Sequence, residues 1–277
     1  MAKLFGFVQF EIAGTLPLAD GRYLAGSGEG AGEEEWVLVV KTVGAPAAPE
    51  RRRRRRGPEP DAEPPPLPLT RVMAIRASSP LAGPAEAARW LDETGKQADA
   101  AEALAAAAIA PLNRALHAHA VAAEDPHGRE LSPLQAERVL IGYGSGEETA
   151  HGRFADGRQV DLAPRASSRR RRREEELQPQ ERVAAVLRGR ERLDACETLL
   201  LRARADLDAG RDREAALQLR VGLEALLVEL DGAVDDPGHD RDMTALRQRQ
   251  TDVGREQTEE TLAICERVLR RRRVLRS

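Results

Sequence analysis

The stretch Arg138-Val-Leu-Ile-Gly-Tyr-Gly-Ser145 decides how the N-terminal half of the 277-residue chain is interpreted. Successive side chains of a strand point to opposite faces, so Val139, Ile141 and Tyr143 are expected together on one face. The other face then holds Leu140 followed only by glycines. Because this strand follows two predicted helices, we expect strands and helices to share one core in this half of the chain.

The glycine-lined face of this strand carries Gly142 and Gly144. A face without side chains lets another backbone approach closely. The alanine-rich stretch 98–110 has the small side chains that such an approach needs. We therefore expect a helix over 98–110 to pack against these glycines.

Three more strands and two helices are predicted before this strand. Bulky apolar and β-branched residues predict strands over 3–15, 35–43 and 70–77. Apolar periodicity predicts helices over 84–92 and 98–122. The second of these helices is expected to be broken or bent near Pro111, because proline removes a helix hydrogen bond. Residues 1–163 are therefore expected to form an α+β domain with an antiparallel sheet.

Two polar segments are expected to lack regular structure. Residues 45–69 contain eight of the 17 prolines and the run Arg51–Arg56, a combination that favours a disordered insertion. Residues 164–178 contain Arg169–Arg173 followed directly by three glutamates, and are expected to form a flexible linker. All eight aromatic residues precede residue 155 and both cysteines follow it, which indicates two different cores.

Beyond the linker, residues 179–277 are expected to form a bundle of helices. Leucines at helical spacing predict helices over 181–208, 212–230 and 243–275. Gly210 is expected to end the first helix, and Asp212 to cap the second. The fold class is therefore an α+β domain followed by an all-α domain.

The unequal lengths of these helices suggest a partner. At 1.5 Å per residue the second helix spans about 28 Å and the third about 48 Å, so about 20 Å of the third stays uncovered unless Gly254 breaks it. We expect a protein partner or a second copy of the chain to cover the excess. The candidate helical interface is the apolar row Leu219, Leu223, Leu226, Leu230, Ile264, Val268 and Leu275.

The helical hairpin over 199–227 resembles one tetratricopeptide repeat in its small and apolar residues. Gly210, Ala215, Leu219 and Gly222 fall near the positions expected for that family. The large aromatics and the closing proline of the family are absent, and no second copy follows, whereas a solenoid needs about three. We assign the chain to no family on this basis.

Arginine runs are the most conspicuous charged feature, in a chain where 40 of the 43 basic residues are arginine, a bias typical of high-GC bacterial genomes. Such runs neutralise phosphates in nucleic-acid-binding proteins, and contact with an acidic partner protein is a further alternative. The net charge of −3 and the lack of aromatics beside the runs favour solvated linkers instead. A third run, Arg270–Arg273, ends a predicted helix, where positive charge is favourable. The candidate anion or nucleic-acid contacts are Arg51, Arg52, Arg53, Arg54, Arg55, Arg56, Arg169, Arg170, Arg171, Arg172 and Arg173.

Other motifs do not predict a cofactor or metal site. The stretch Gly142-Tyr-Gly-Ser-Gly146 lacks the spacing of a phosphate loop, and no helix is predicted to begin there. His117 and His119 are two residues apart, about 200° around a helix, and would not share a metal. Cys196 and Cys265 have no nearby partner and are expected to be reduced and buried, with a disulfide between two helices as the alternative.

These patterns favour a cytoplasmic, non-enzymatic interaction or scaffold protein that acts through its C-terminal helices. No apolar stretch approaches the roughly 20 residues of a membrane span. A nucleic-acid-associated protein that uses the arginine runs as electrostatic arms is the alternative. An enzyme site in the N-terminal domain is the third hypothesis, although no catalytic residue is predicted.

Overall fold

The computed structural model describes residues 3–26, 35–44, 67–162, 179–249 and 254–276. For residues 274–276 it describes the backbone only. The chain divides into two compact units, an N-terminal unit, Met1–Pro164, and a C-terminal unit, Arg165–Ser277. The predicted linker and all but the last three residues of the predicted insertion lie outside the described residues. The expected fold class, α+β followed by helices, is confirmed.

The N-terminal unit contains a six-stranded antiparallel sheet. Its strands are β1 (Leu4–Ala13), β2 (Gly21–Ala25), β3 (Trp36–Val43), β4 (Leu69–Leu81), β5 (Arg138–Ser145) and β6 (Asp156–Val160). They are arranged in the order β2-β3-β4-β1-β5-β6, which gives β1 a partner on each side. The four strands expected from the sequence are confirmed, whereas the short β2 and β6 were not predicted.

Two helices, α1 (Pro84–Lys96) and α2 (Ala98–Ala122), pack on one face of the sheet. The core beneath them includes Val8, Phe10 and Ile141 from the strands, together with alanines of α2 such as Ala105. Of the two alternatives expected near Pro111, a break is wrong, because α2 runs through this proline as one helix, and a bend stays a prediction. Pro111 is buried, so packing on the sheet offsets the hydrogen bond that it removes.

The packing expected for the glycine face of β5 is also wrong. Alanines of α2 share a core with Val139, Ile141 and Tyr143, on the opposite face of the strand. The glycines instead face Phe7, Phe154 and the five-residue helix α3 (Gly146–Ala150). A Cβ at Gly142 would lie 2.6 Å from the Phe7 ring, and the rings of Phe7 and Phe154 have centroids 5.0 Å apart. The bare face therefore makes room for aromatic rings.

The C-terminal unit is entirely helical in its described part. It begins with α4, over residues 179–187, and continues with α5 (Ala195–Asp208), α6 (Asp212–Glu229), α7 (Pro237–Arg247) and α8 (Arg255–Arg276). Gly210 lies in the turn between α5 and α6, as expected. Asp212 is the first residue of α6 rather than its cap, and its carboxylate accepts a hydrogen bond from Arg255 at the start of α8 (2.5 Å).

The helix predicted over 181–208 is two helices. Gly189 has φ +68°, a left-handed conformation that ends a helix readily because glycine has no Cβ. Asp194 then precedes α5, and its backbone N–H donates to Glu197 (3.4 Å), which restarts the chain as a new helix. The expectation of one continuous helix is therefore wrong.

The long third helix predicted over 243–275 is also two helices. The α7 helix begins earlier, at Pro237, where the Asp236 side chain accepts a hydrogen bond from the backbone N–H of His239 (2.8 Å). The α8 helix begins only at Arg255, directly after Gly254. With 22 residues α8 spans about 33 Å, against about 27 Å for α6. The helix-length argument for a partner therefore no longer holds.

Candidate interaction surface

The apolar row that the sequence singled out lies inside the C-terminal unit. Six of its seven members are at most 8% exposed and contact one another in a single core: Leu219, Leu223, Leu226, Leu230, Ile264 and Val268. The side chain of the seventh, Leu275, lies outside the described residues. The structure places these six side chains in the core instead of on a surface, so contact with a partner would have to use other residues.

A second apolar row runs along the outer side of α6. Leu217, Val221 and Val228 are 49%, 48% and 81% exposed. At about 100° per residue these three side chains lie within about 40° of one another, and roughly opposite the buried row. Exposed Glu224 lies on the same line. We call Leu217, Val221, Glu224 and Val228 the outer stripe; it was missed in the sequence because the leucines of the buried row form the stronger apolar pattern at helical spacing.

Close contact with α5 fixes which side of α6 is buried. A Cβ at Gly222 would lie 3.0 Å from Leu200 and 3.2 Å from Leu199, so this glycine lets the two helices approach closely. The two helices are also joined at one end, where the Glu229 carboxylate accepts the backbone N–H groups of Ala195 (3.1 Å) and Cys196 (3.0 Å). The outer stripe therefore stays on the side of α6 that faces away from α5.

The hydrogen bonds between α5 and α6 lower the pKa of the Glu229 carboxylate. Partial burial alone raises its pKa, but the hydrogen bonds from Cys196 and Ala195 outweigh burial and lower the pKa below its ordinary value. An anion at the start of α5 also interacts favourably with the helix dipole. Glu229 therefore holds the α5–α6 hairpin together in its ionised form.

Two opposite charges lie near the centre of the outer stripe, Glu224 within it and Arg220 beside it. Arg220 and Glu224 are exposed and stand four residues apart on α6. Neither makes an ion pair or a side-chain hydrogen bond with any described residue. Within one helix the order acid-then-base is the better one for pairing at this spacing, and here the order is reversed. Both charged groups are available to a partner.

Three of the four arginines of the third run form ion pairs within the unit. Arg271 pairs with Asp242 (3.0 Å), Arg272 with Asp194, and Arg273 with Glu197 (3.5 Å). These pairs join the C-terminal half of α8 to the middle of α7 and to the region where α5 begins. The runs Arg51–Arg56 and Arg169–Arg173 lie outside the described residues, so the nucleic-acid alternative that rests on them stays a prediction.

Both cysteines are buried, as expected from the sequence, and neither forms a disulfide in the structure, while their reduced state stays a prediction. Burial raises the pKa of the Cys196 thiol to about 12, and the nearby Glu229 carboxylate acts in the same direction. Burial likewise raises the pKa of the Cys265 thiol to about 12. Since the thiolate is the reactive form, both thiols are expected to be poor nucleophiles in the folded protein.

The glycine-rich stretch at 142–146 differs from expectation in one respect, because the short helix α3 does begin at Gly146. Glu147 and Glu148 occupy its first turn, where their charge opposes phosphate binding. In the part of the chain that the structure describes, no group of three or more His, Cys, Asp or Glu side chains is placed to hold a metal ion. Nor does any described helix combine the length and apolarity needed to cross a membrane.

No protein-family model matches this sequence, and no curated protein and no solved structure matches it.

Proposed function

We propose that the protein is a non-enzymatic interaction protein that self-associates through the outer stripe of α6. The supporting observation is that α6 has two apolar sides, of which its own unit buries only one. A helix in a globular protein ordinarily needs one apolar side for the core and is polar elsewhere. Three large aliphatic side chains aligned on the outer side are therefore best explained by a second helix that covers them.

The spacing of the outer stripe favours a second copy as that partner. Its positions are 217, 221, 224 and 228, so the spacings are four, three and four residues. This spacing pattern is identical whether the helix is followed from its N-terminus or from its C-terminus. A second α6 placed antiparallel about a twofold axis therefore brings Leu217 opposite Val228 at both ends. Val221 then meets Glu224 at the centre.

The charges beside the stripe agree with this twofold arrangement. With Val221 opposite Glu224, Arg220 of one copy lies within about 2 Å along the helix axis of Glu224 of the other. Each exposed guanidinium would thus neutralise the carboxylate that the partner brings into the apolar contact. The paired charges specify an antiparallel contact between copies and disfavour other arrangements.

The size of the surface sets the strength of the contact. One face of an 18-residue helix is about 27 Å long and about 10 Å wide, well below the roughly 800 Å² per partner of a standard stable interface. We therefore expect a reversible monomer–dimer equilibrium with a dissociation constant in the micromolar range or weaker.

Sedimentation equilibrium of the full chain tests the proposal. We expect the weight-average mass to rise towards that of a dimer as the concentration rises from about 10 µM to about 500 µM, and Val221→Lys to remain monomeric throughout. Leu187→Lys, at an 82% exposed position on α4, is the matched control and should associate like the unchanged protein. A chain that stays monomeric at every concentration contradicts the proposal, as does equal association of the two variants.

A further inference from the structure

An open cleft of about 360 Å³ lies in the N-terminal unit, between the segment after β1 and the loop after α2. Leu16, Pro17 and Leu116 form an apolar part of its wall. His119, His127 and Arg129 also line the cleft. Small-molecule sites in proteins are typically clefts of about 300–1,000 Å³ with mostly apolar walls and a few convergent polar groups.

The loop after α2, which forms one wall of the cleft, folds back and packs against α2. Glu124 ends the helix with φ 53°, a conformation that residues other than glycine adopt rarely. A Cβ at Gly128 would lie 2.4 Å from the Cβ of Ala120, so this glycine allows the loop to touch the helix. The loop therefore follows the helix surface instead of leaving it.

A side-chain amide fixes the far end of the same loop. Asn113, the only asparagine in the chain, donates to the backbone oxygen of Leu131 (2.9 Å) and accepts the backbone N–H of the same residue (2.8 Å). Such a two-bond clamp holds the loop in one register on α2. His127 and Arg129, between the clamp and the end of the helix, are thereby positioned at the cleft.

Two charged residues line the cleft, Arg129 and Asp125, and of these Arg129 is the one whose side chain can bind an anion. The Arg129 guanidinium makes no ion pair with any described residue and therefore has its donors available. The carboxylate of Asp125, which also lines the cleft, accepts the backbone N–H of His127 (2.9 Å) and so serves the turn itself. A planar guanidinium binds carboxylate and phosphate groups through two parallel hydrogen bonds.

We infer that this cleft binds a small organic anion, whose carboxylate or phosphate group contacts Arg129 while its apolar body lies against Leu16, Pro17 and Leu116. The imidazoles of His119 and His127 flank the anionic group. This inference is independent of self-association, because all the residues that it uses belong to the N-terminal unit.

Proton NMR of the ring C–H signals of the five histidines, in the full chain, tests the inference. Phenyl phosphate and benzoate are the two probes, and the signals are assigned with His119→Gln and His127→Gln. We expect saturable shifts at His119 and His127 with at least one probe, and no shift at His151 or His239. Inorganic phosphate lacks an apolar body, so it should bind at least about tenfold more weakly than phenyl phosphate.

Two arginine variants decide the role of the guanidinium. Arg129→Gln should weaken binding of the better probe by about tenfold or more. Arg153→Gln, at an exposed position on another loop of the same unit, should leave the affinity unchanged. The inference is overturned if neither probe gives saturable shifts up to about 20 mM, if the shifts are equal at all histidines, or if Arg129→Gln binds like the unchanged protein.

Discussion

Arg272, near the end of α8, donates a hydrogen bond to the carboxylate of Asp194, the residue that precedes α5. The Arg272 side chain is only 9% exposed, so this pair is largely shielded from water. Its neighbour Arg271 pairs with Asp236, which precedes α7 (3.3 Å). Two members of the third arginine run therefore connect helices inside the C-terminal unit.

The shielded pair predicts a specific loss of stability. Arg272→Gln should lower the free energy of unfolding of the C-terminal unit by about 2–3 kcal/mol, because Asp194 loses a charged partner. Arg270→Gln, in the same run but exposed, should change it by less than about 0.5 kcal/mol. Urea unfolding followed by far-ultraviolet circular dichroism measures both; equal effects of the two variants contradict the assignment.

Acid should destabilise the C-terminal unit through Glu197. Burial alone raises the pKa of Glu197, but its hydrogen bonds with Arg182 (2.9 and 2.5 Å) and the nearby positive charges lower it below the ordinary value near 4.5. A lowered folded-state pKa means that the stabilisation is complete above the ordinary value and is lost as pH falls through the lowered one.

Urea unfolding over the acidic range measures this dependence. Glu197→Gln should remove part of the slope of the unfolding free energy against pH. Arg182→Gln should reduce the slope by a similar amount, because it removes the charge that lowers the pKa of Glu197. Identical slopes in the unchanged protein and in Glu197→Gln would show that this carboxylate does not contribute to acid sensitivity.

The glycine face of β5 predicts a position that tolerates no side chain. A Cβ at Gly144 would lie 2.4 Å from the Thr149 hydroxyl and 3.1 Å from the Phe154 backbone. Gly144→Leu should therefore destabilise the N-terminal unit by at least about 1–3 kcal/mol. Both tryptophans lie in this unit, so unfolding followed by their fluorescence is a direct measurement. Gly21→Ala, which meets nothing within 4 Å, is the control; a neutral Gly144→Leu contradicts the packing described.

The two thiols should be inert in the folded protein. Their pKa values, raised to about 12 by burial, leave almost no thiolate near neutral pH. A chromogenic disulfide reagent should detect both thiols only after denaturation, whereas Ala122→Cys, at an exposed position, should react at once. Rapid reaction of either native cysteine in the folded protein would contradict this prediction.

Much of the fold could be predicted because its strongest patterns are local. The prediction for β5 holds residue for residue, since alternating apolar residues give a clear strand pattern. The strand β2, Gly-Arg-Tyr-Leu-Ala, is short and has little apolar pattern of its own, and pairing with β3 determines it. Likewise the break between α4 and α5 depends on a left-handed glycine, which the leucine spacing does not reveal.

The candidate surfaces could be predicted only in part. Helical spacing correctly grouped Leu219, Leu223 and Leu226 on one side of α6, but spacing alone does not show whether a row faces the core or the solvent. The outer stripe also has aliphatic residues at helical spacing, and the position of α5 shows which of the two rows is buried. The cleft in the N-terminal unit joins Leu16 to Arg129, more than a hundred residues apart, and depends on the folded sheet.

Exchange of the two charges beside the outer stripe tests self-association most directly. Arg220→Glu and Glu224→Arg should each weaken the dimer, because each places like charges together across the twofold axis. The double variant restores opposite charges, so sedimentation equilibrium should show dimerisation close to that of the unchanged protein. If the double variant is no better than either single one, or if neither single variant alters the equilibrium, the antiparallel contact through α6 is wrong.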